Sequence, residues 1–600
     1  VSQGSGSIGT QATNNLGGTL EFFSADNSDG FGVDANLTYG SENTMRAFGR
    51  VNFGEAGGLR GFVSGVYHKA DKWKGGGEQK NWQVNAKAIV PVGAAEFDAY
   101  FSYSDRAEQD YQDLSLEMIN RLGYDHDNFF PNYATAIAAA GRKFVAPINN
   151  LDDSYYDASG LRKDLLTAYG LTAPLNDNVT FKIKAYYHNN TGQGTWGTPY
   201  VASPNGVPMS ARTTEYDIQR GGVFGSLNTK VGDHDITVGG WYEHNDFTQA
   251  RRFYAYQSNT IPGLDHTKFL TNPFFTQWLF DFNTDTLQYY VQDKISLGDL
   301  TINLGWKGFQ VNNEANPRIK GSLSAGAIKS QDWFQPHVGA AYKLNDKAEI
   351  FGGFTQVTRA FVSSATSGPF ATTQAGFDAL IARGLKPEGS DTFELGARYN
   401  DNVFNGVIAV YSVNFRNRLL GVQTGAGIVG NPAILQNVGN AKSVGFEAAG
   451  DVRLGGGVHP LRSCVQVAAD ELVGPLRRGE VEHAGDDAAL DDGFHDASAD
   501  AGGGEDEDLV ARGFEDLLRF GDACRGVAEL AGHDQRAAGL HLRLALDHAA
   551  DRAGGAGEDD AREAVEAGDV GDAGHHCDVL RAEVGGDVPG GQRGDHQLGE

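Results

Sequence analysis

The first three quarters of the chain alternate apolar and polar residues with a period of two. In residues 96–104 the odd positions are apolar or aromatic and the even positions are mostly polar, and residues 180–188 and 300–307 repeat the arrangement. Successive side chains of a β-strand point to opposite faces, so this pattern predicts strands with one face in apolar surroundings and the other in contact with water. We therefore expect an all-β fold.

Short segments rich in Asn, Asp and Gly recur between these strands. They are residues 176–178, 231–233, 297–299, 344–346 and 400–402. These residue types tolerate the positive φ angles of tight hairpins, so each segment is predicted to be a turn. The connections between them are long and all fall at the same end of the predicted strands. We expect them at residues 107–168, 190–213, 246–284, 312–333, 360–388 and 416–440.

Short turns at one rim and long loops at the other are typical of a transmembrane antiparallel β-barrel of the outer membrane. A soluble jelly roll is the alternative fold. The alternation predicts about sixteen strands between Phe31 and Leu454, with a seventeenth beginning at Val458. The sequence has no run of about 18 apolar residues, so we do not expect a membrane-spanning helix.

The composition changes abruptly at Val458. Residues 458–600 contain no Ile, Lys, Asn, Thr, Tyr, Trp or Met and consist almost wholly of residues whose codons begin with G or C. A GC-rich gene read one nucleotide out of frame would produce this bias. We interpret the segment as out-of-frame, low-complexity and acidic, without a stable fold. A genuine acidic disordered tail is the alternative.

This segment also dominates the charge of the chain. It carries 33 acidic and 12 basic side chains, or −21 of the formal −28, which leaves only about −7 for residues 1–457. The net charge therefore does not indicate a cationic partner. All three cysteines lie beyond residue 457. The preceding residues can form neither a disulfide nor a thiolate metal site, and we predict no metal ligands.

Several stretches, taken in order, resemble TonB-dependent outer-membrane receptors over residues 4–454. The first part, Gly-rich residues 4–9 and then residues 15–22, resembles the close of the family's plug domain. Four later parts resemble successive barrel hairpins and strands. These are residues 289–293 with 300–305, residues 335–339 with 351–354, residues 385–388 with 393–396, and residues 437–441 with 445–447.

The resemblance implies a 22-stranded barrel closed by an N-terminal plug. On this basis we assign residues 1–28 to the end of the plug, residues 29–457 to a partial barrel of about 16 of the 22 strands, and residues 458–600 to the low-complexity segment. The TonB box, most of the plug and the closing strands have no counterpart. We therefore expect the chain as written to be a non-functional fragment.

The same resemblance implies a function and partners. It predicts a receptor in the outer membrane of a Gram-negative bacterium for the energised uptake of a scarce nutrient, typically a ferric siderophore. The implied partners are outer-membrane lipid, the TonB–ExbB–ExbD complex and the small ligand, with no nucleic acid, and a monomer is expected. Cobalamin and carbohydrate receptors share the scaffold. A passive porin and a surface-adhesion barrel are the alternative functions.

In such a receptor the ligand is captured by the long loops and the plug, so the candidate binding residues are aromatic and basic loop residues. They are Phe129, Phe130, Arg251, Arg252, Phe253, Tyr254, Tyr256 and Trp278. An arginine pair beside aromatic rings could bind an anionic or catecholate chelate through charge and cation–π attraction. Alternatively, these residues pack the loops together or form an aromatic girdle at the membrane interface.

The sequence contains none of the short motifs that indicate catalysis. It has no HExxH, no GxSxG, no phosphate-binding Gly-Lys-Ser/Thr loop and no Cys-x-x-Cys. We therefore predict that the protein is not an enzyme and uses no cofactor.

Overall fold

The computed structural model describes residues 2–3, 6–16, 18–25, 30–55, 57–423, 432–452 and 461–471. The chain divides into two units, residues 1–475 with 577–600 and residues 476–576. All described residues belong to the first unit. We expect the acidic segment to have no stable fold. From residue 472 onward this segment lies outside the described residues.

Seventeen strands follow one another in chain order around a closed barrel, with the last beside the first. Every successive pair is antiparallel. A separate two-stranded sheet precedes them, formed by β1 (Ser2–Gln3) and β2 (Gly18–Thr19). The barrel strands are β3 (Phe31–Tyr39), β4 (Met45–Phe53), β5 (Arg60–Asp71), β6 (Glu78–Val92), β7 (Ala95–Gln109), β8 (Tyr156–Asn176), β9 (Val179–Thr198), β10 (Ser210–Val231), β11 (His234–Ala255), β12 (Phe275–Leu297), β13 (Leu300–Ile319), β14 (Gly326–Lys343), β15 (Ala348–Thr358), β16 (Gly389–Asn400), β17 (Phe404–Gln423), β18 (Ala433–Val452) and β19 (Leu461–Glu471).

Short helices lie in two of the long connections. They are α1 (Leu116–Leu122) and α2 (Tyr133–Ala140) between β7 and β8, and α3 (Gln374–Ala382) between β15 and β16, preceded by a 3₁₀ turn at Pro369–Ala371. Each α-helix has an N-cap residue whose side chain accepts a hydrogen bond from a backbone N–H of the first turn. These residues are Ser115, Asn132 and Thr373. The helices of the described part of the chain lack the length and apolar character needed to cross a membrane.

The predicted strands and tight turns are confirmed. Strand β8 ends at Asn176 and β9 begins at Val179, and the other four predicted turns likewise separate consecutive strands. Gly232 and Gly298 have φ angles of 60° and 61° at their turns. A residue with a Cβ is strained in that region, which explains glycine at these positions.

The connection predicted at 360–388 is observed at 359–388, whereas other long connections are shorter than predicted. The structure leaves only residues 110–155, 256–274 and 320–325 outside strands, where the sequence predicted 107–168, 246–284 and 312–333. The strands continue instead, and β12 has 23 residues, whereas about 9–11 suffice to cross a bilayer. Beyond that length the exterior residues of β12, such as Asp281 and Asn283, are polar. The alternation of apolar and polar residues therefore ends before the strand does, although the backbone pairing continues.

The strand count is confirmed, and the seventeenth strand, predicted to begin at Val458, is observed from Leu461 onward. Sixteen strands, β3 to β18, run from Phe31 to Val452, and a seventeenth follows. That strand, β19, lies beyond the compositional break at Val458 and pairs with β18 from Val452↔Leu461 to Lys442↔Glu471. Backbone pairing needs no particular composition, so the break does not stop it. The frameshift interpretation itself stays a prediction.

Towards its turn end, β12 has an apolar exterior face and a polar interior face. On β12, Thr286 and Gln288 are buried, whereas Leu287 between them is 49% exposed. Neighbouring strands expose apolar residues on the same side. We call this surface the exterior band, and it includes Val238, Leu287, Leu304, Trp306 and Val338.

Residues 6–16, the N-terminal segment, contact the interior face of the wall. Gln288 Nε2 donates to the Thr10 carbonyl oxygen at 2.9 Å. Ile8 is 5% exposed and lies against Gly305, where a Cβ would come within 2.7 Å of its Cδ1 atom. Within residues 15–22 the structure has the short strand β2, and the assignment of these residues to the close of a plug stays a prediction.

The exterior band predicts a face-specific effect of charge. We expect Val238→Lys to destabilise the barrel in phospholipid vesicles by about 2–4 kcal/mol, because it places an ammonium in the lipid. Thr237 is the adjacent residue on the opposite face, and Thr237→Lys should destabilise the barrel much less. Urea unfolding of both variants measures the difference, and equal losses would contradict the assignment of the two faces.

Candidate functional site

The end of the barrel that carries the long connections contains two buried clusters. The mouth cluster joins interior strand residues to the loop at 359–388 and consists of Trp278, Phe280, Phe282, Ala315, Leu323, Ile328, Phe361, Ala365, Phe370 and Phe377. The flank cluster joins three other loops and consists of Tyr133, Ala136, Ala140, Tyr156, Val207, Met209, Ala211, Tyr254 and Tyr256. Together these clusters determine which loop residues a ligand can reach.

The mouth cluster is built on alternate residues of β12. The rings of Phe280 and Phe282 stack with centroids 5.5 Å apart. Phe282 then meets Phe370 at 5.9 Å, and Phe370 meets Phe377 of α3 at 5.4 Å. The strand provides a rigid row of rings, and the loop provides the rings that pack against them.

Hydrogen bonds attach the loop at 359–388 to the interior wall. The Phe361 N–H donates to Ser330 Oγ at 3.0 Å, and Asn313 Nδ2 donates to the Phe361 carbonyl oxygen at 3.0 Å. The Ala365 N–H donates to Gln249 Oε1 at 2.8 Å. The loop is therefore bound to β11, β13 and β14 within the opening of the barrel.

The flank cluster packs the loops at 110–155, 199–209 and 256–274 against one another. The Tyr133 hydroxyl of α2 donates to the Ser258 carbonyl oxygen at 2.9 Å. Asn205 Nδ2 donates to the Tyr256 carbonyl oxygen at 2.8 Å. The rings of Tyr133 and Tyr156 meet edge to face at 4.9 Å. The three loops form one packed layer.

Five of the six predicted aromatic residues, all except Phe253, belong to the two clusters or pack against them. Phe253 and Tyr256 are fully buried, Tyr254 is 2% exposed and Trp278 is 3% exposed. The remaining two aromatic candidates, Phe129 and Phe130, are partly buried against the flank cluster. This placement agrees with the alternative interpretation that these rings pack the loops. Direct contact with a ligand stays a prediction for them.

The two predicted arginines do not act as a pair, because adjacent residues of a strand face opposite sides. Arg251 faces the interior, with its guanidinium carbon 5.3 Å from the centroid of the Trp278 ring. Arg252 faces the other side, where it forms an ion pair with Glu215 of β10. The Tyr254 hydroxyl, on the same side as Arg252, donates to Glu215 Oε1 at 2.6 Å.

The residue that joins Arg251 on the interior face is Arg212 of β10. Arg212 is the cross-strand partner of Phe253, and Arg251 is the partner of Thr214. The two arginines are thus diagonal neighbours on one face, close enough for their charges to interact. Sequence reasoning missed Arg212, because only the register of β10 against β11 reveals the neighbour. We call Arg212, Arg251 and Trp278 the cationic wall.

His266 of the loop at 256–274 is a buried titratable group next to the flank cluster. Its Nε2 atom is 3.2 Å from the Tyr256 hydroxyl, and its Nδ1 atom is 3.6 Å from Asp157 Oδ2. Burial lowers the pKa of His266, and the attraction of the Asp157 carboxylate opposes that shift in part. The imidazole is therefore neutral at neutral pH while the loop stays packed.

Among the residues that the structure describes, no three His, Cys, Asp or Glu side chains are grouped closely enough to hold a metal ion. The described side chains at this end of the barrel include charged groups, hydrogen-bonding groups and aromatic rings.

The comparisons with known proteins agree on one family. A family model described as TonB dependent receptor-like, beta-barrel, matches residues 102–471, which is more than half of the chain. The match ends at the last residue of β19. It therefore also continues past the compositional break at Val458.

Solved structures of siderophore receptors share the fold. The ferric citrate transporter FecA in its unliganded form matches with a TM-score of 0.59 and 16% identity, over 78% of this chain and 64% of that one. The siderophore receptor PiuA from Acinetobacter baumannii matches with a TM-score of 0.55 and 15% identity, over 76% and 66%. The receptor FpvA from Pseudomonas aeruginosa PAO1, bound to pyoverdine, gives 0.52 and 14%, over 74% and 62%. The chain thus spans just under two thirds of the length of each structure.

The buried imidazole predicts that the loop at 256–274 loosens in mild acid. The pKa of His266 in the folded protein lies below its ordinary value of 6.5. Above pH 6.5 the packed loop therefore keeps its full stability, and this stability decreases as the pH falls towards the folded pKa. The loss should reach at most about 1.4 kcal/mol per pH unit.

Amide hydrogen exchange of residues 257–274, compared near neutral pH and in mild acid, measures this effect. His266→Gln should remove the pH dependence, whereas substitution of the exposed His234 to Gln should preserve it. A pH dependence that persists in His266→Gln would assign it to another group.

The mouth cluster predicts that one ring holds the loop at 359–388 in place. Phe370→Ala should remove about 3–5 kcal/mol of packing, because the ring is fully buried. We expect proteases to cleave within residues 359–388 while the circular dichroism of the barrel is unchanged. Phe334→Ala, which removes a ring that is 61% exposed on the exterior, is the control and should leave the loop resistant.

Proposed function

Because the chain belongs to the TonB-dependent receptors, a family of outer-membrane β-barrels, we propose that the protein serves the energised uptake of an iron–siderophore complex. The family match over residues 102–471 supports the receptor class. The solved structures that share the fold include proteins named for ferric citrate, siderophores and pyoverdine. These names support the substrate class.

The observation that carries the proposal is the cationic wall. Arg212 and Arg251 present two guanidinium groups on one interior face, and the second lies over the Trp278 ring. Siderophores bind iron through catecholate, hydroxamate or carboxylate oxygens, and several of their ferric complexes are anionic. Two arginines on one interior face suit such a ligand.

The surroundings of the cationic wall strengthen this recognition. Trp278 packs into the mouth cluster, so one side of the binding surface is apolar and excludes water. Charge attraction is stronger in such a medium than in bulk water. We propose that the ligand approaches from the end with the long loops and contacts Arg212 and Arg251 together.

The contents of the interior favour an energised receptor over a passive porin. Within the described residues, the N-terminal segment is hydrogen-bonded to the wall at Gln288 and to the loop at 359–388 through the Ala360 N–H and the Thr13 carbonyl oxygen. A porin needs an open aqueous lumen. We propose that this segment belongs to a plug, and that TonB with ExbB and ExbD is the energising partner.

Ligand binding by charge variants tests the proposal. The chain, refolded in detergent, is titrated with a ferric tris-catecholate complex, and tryptophan fluorescence measures binding. We expect Arg212→Met and Arg251→Met each to weaken binding about tenfold or more, because each removes a charge-assisted contact. Arg252→Met should bind like the parent chain, since that guanidinium is ion-paired on the opposite face.

Two results would contradict the proposal. If Arg252→Met weakened binding as much as Arg251→Met, the ligand would not lie against the interior face. If the parent chain bound the anionic complex no better than a neutral ferric hydroxamate, charge would not select the substrate. Iron-limited growth with and without TonB then tests whether uptake is energised.

A further inference from the structure

The interior wall below the cationic wall contains a buried lysine that has no counter-ion among the residues the structure describes. Lys307 of β13 is 1% exposed. Its Nζ atom has no hydrogen-bond partner among the described residues, and no described carboxylate forms an ion pair with it. A buried ammonium without a partner costs several kcal/mol, so this position needs an explanation beyond packing.

The neighbours of Lys307 are polar and face the same side. Its cross-strand partners are Tyr290 of β12 and Gln335 of β14. Gln335 is fully buried and Gln288, two residues before Tyr290, is 1% exposed. Side chains directly opposite or diagonal across neighbouring strands lie within reach of one another. The N-terminal segment lies beside this group, because Ile8 packs against Gly305 and the Thr10 carbonyl oxygen accepts from Gln288.

Backbone partners fix the orientation of both amides. The Thr358 N–H donates to Gln335 Oε1 at 2.9 Å, so Gln335 Nε2 is the free end and is a donor. Gln288 Nε2 donates to the Thr10 carbonyl oxygen, so its free end is the acceptor Oε1. Three buried polar atoms on adjacent strands, those of Lys307, Gln335 and Gln288, therefore have unused hydrogen-bonding capacity.

We propose that Lys307 and Gln335 form a carboxylate-binding site in the interior wall. The ammonium supplies the charge and a donor, the Gln335 amide supplies a second donor, and two donors suit the two oxygens of a carboxylate. Gln288 Oε1, which has no partner among the described residues, supplies an acceptor for a hydroxyl beside the carboxylate. An anion here offsets the cost of the buried charge and gives the Lys307 ammonium and the Gln335 amide hydrogen-bond partners.

The carboxylate has two chemical sources. It is either a free small acid in the lumen or an Asp or Glu side chain of a polypeptide seated against the wall. The site does not depend on the cationic wall or on the identity of the transported ligand. Its failure would therefore leave the proposed function intact, and the reverse also holds.

Thermal unfolding of the chain, refolded in detergent, tests the site with acetate as the probe at constant ionic strength against chloride. We expect acetate to raise the melting temperature of the parent chain saturably, because a ligand that binds only the folded state stabilises it. In Lys307→Met the apparent affinity for acetate should fall about 30-fold or more. Lys329→Met, at an exposed position of β14, is the matched control and should respond like the parent chain.

Without acetate, Lys307→Met should melt at the same temperature as the parent chain or higher, because the substitution removes an uncompensated buried charge. That result also shows that the variant folds. Stabilisation by acetate that is unchanged in Lys307→Met, or the absence of any saturable stabilisation of the parent chain, would overturn the proposal.

A second comparison distinguishes the two sources of the carboxylate. Tighter binding of succinate than of the blocked tripeptide N-acetyl-Gly-Glu-Gly-amide supports a site for free small acids. Tighter binding of the tripeptide supports a seat for a polypeptide side chain. Both outcomes require Lys307, so Lys307→Met is measured with each probe.

Discussion

The pairing of every strand backbone with its neighbours on both sides is the constraint on which the rest of this structure depends. In an apolar medium an unpaired N–H or C=O group costs several kcal/mol, so a membrane-embedded sheet is stable only when it closes. The closed order of β3 to β19 meets this requirement within the part of the chain that the structure describes. Once the register is set, the face of every side chain is determined.

This constraint organises the candidate site by register and not by sequence neighbourhood. Arg251 and Arg252 are adjacent in the chain, yet the wall lies between their side chains. Arg212 is distant in sequence, yet it shares a face with Arg251, because β10 and β11 pair in that register. The same logic brings Lys307 beside Gln335. Chemistry in this barrel is therefore assembled across strands.

The sequence predicts the wall better than the site. Alternation and turn chemistry predict the strands and their short connections, because the exterior band must be apolar and residues such as Gly298 must adopt positive φ. The parts of the strands that extend beyond the exterior band are not predicted, because their exterior residues, such as Asp281 and Asn283, are polar and break the alternation. The burial of Trp278 and the isolation of Lys307 depend on long-range packing of the loop at 359–388 and the N-terminal segment, which no local pattern encodes. Strand β19 pairs with β18 although its composition differs from that of the preceding strands, so composition alone does not predict where pairing ends.

The N-terminal segment links the two sites physically. It accepts a hydrogen bond from the Ala360 N–H at Thr13, and another from Gln288 at Thr10. Ile8 and Thr10 of the segment contact Gly305 and Gln288, which lie beside Lys307, so we infer that its seating adds to the burial of that ammonium. Burial of that ammonium opposes seating unless an anion compensates for the lost hydration, because the charge would otherwise remain in water. The stability of the segment in the lumen is therefore coupled to the occupancy of the wall, and a carboxylate at Lys307 strengthens the contacts that connect the wall to the loop at the mouth.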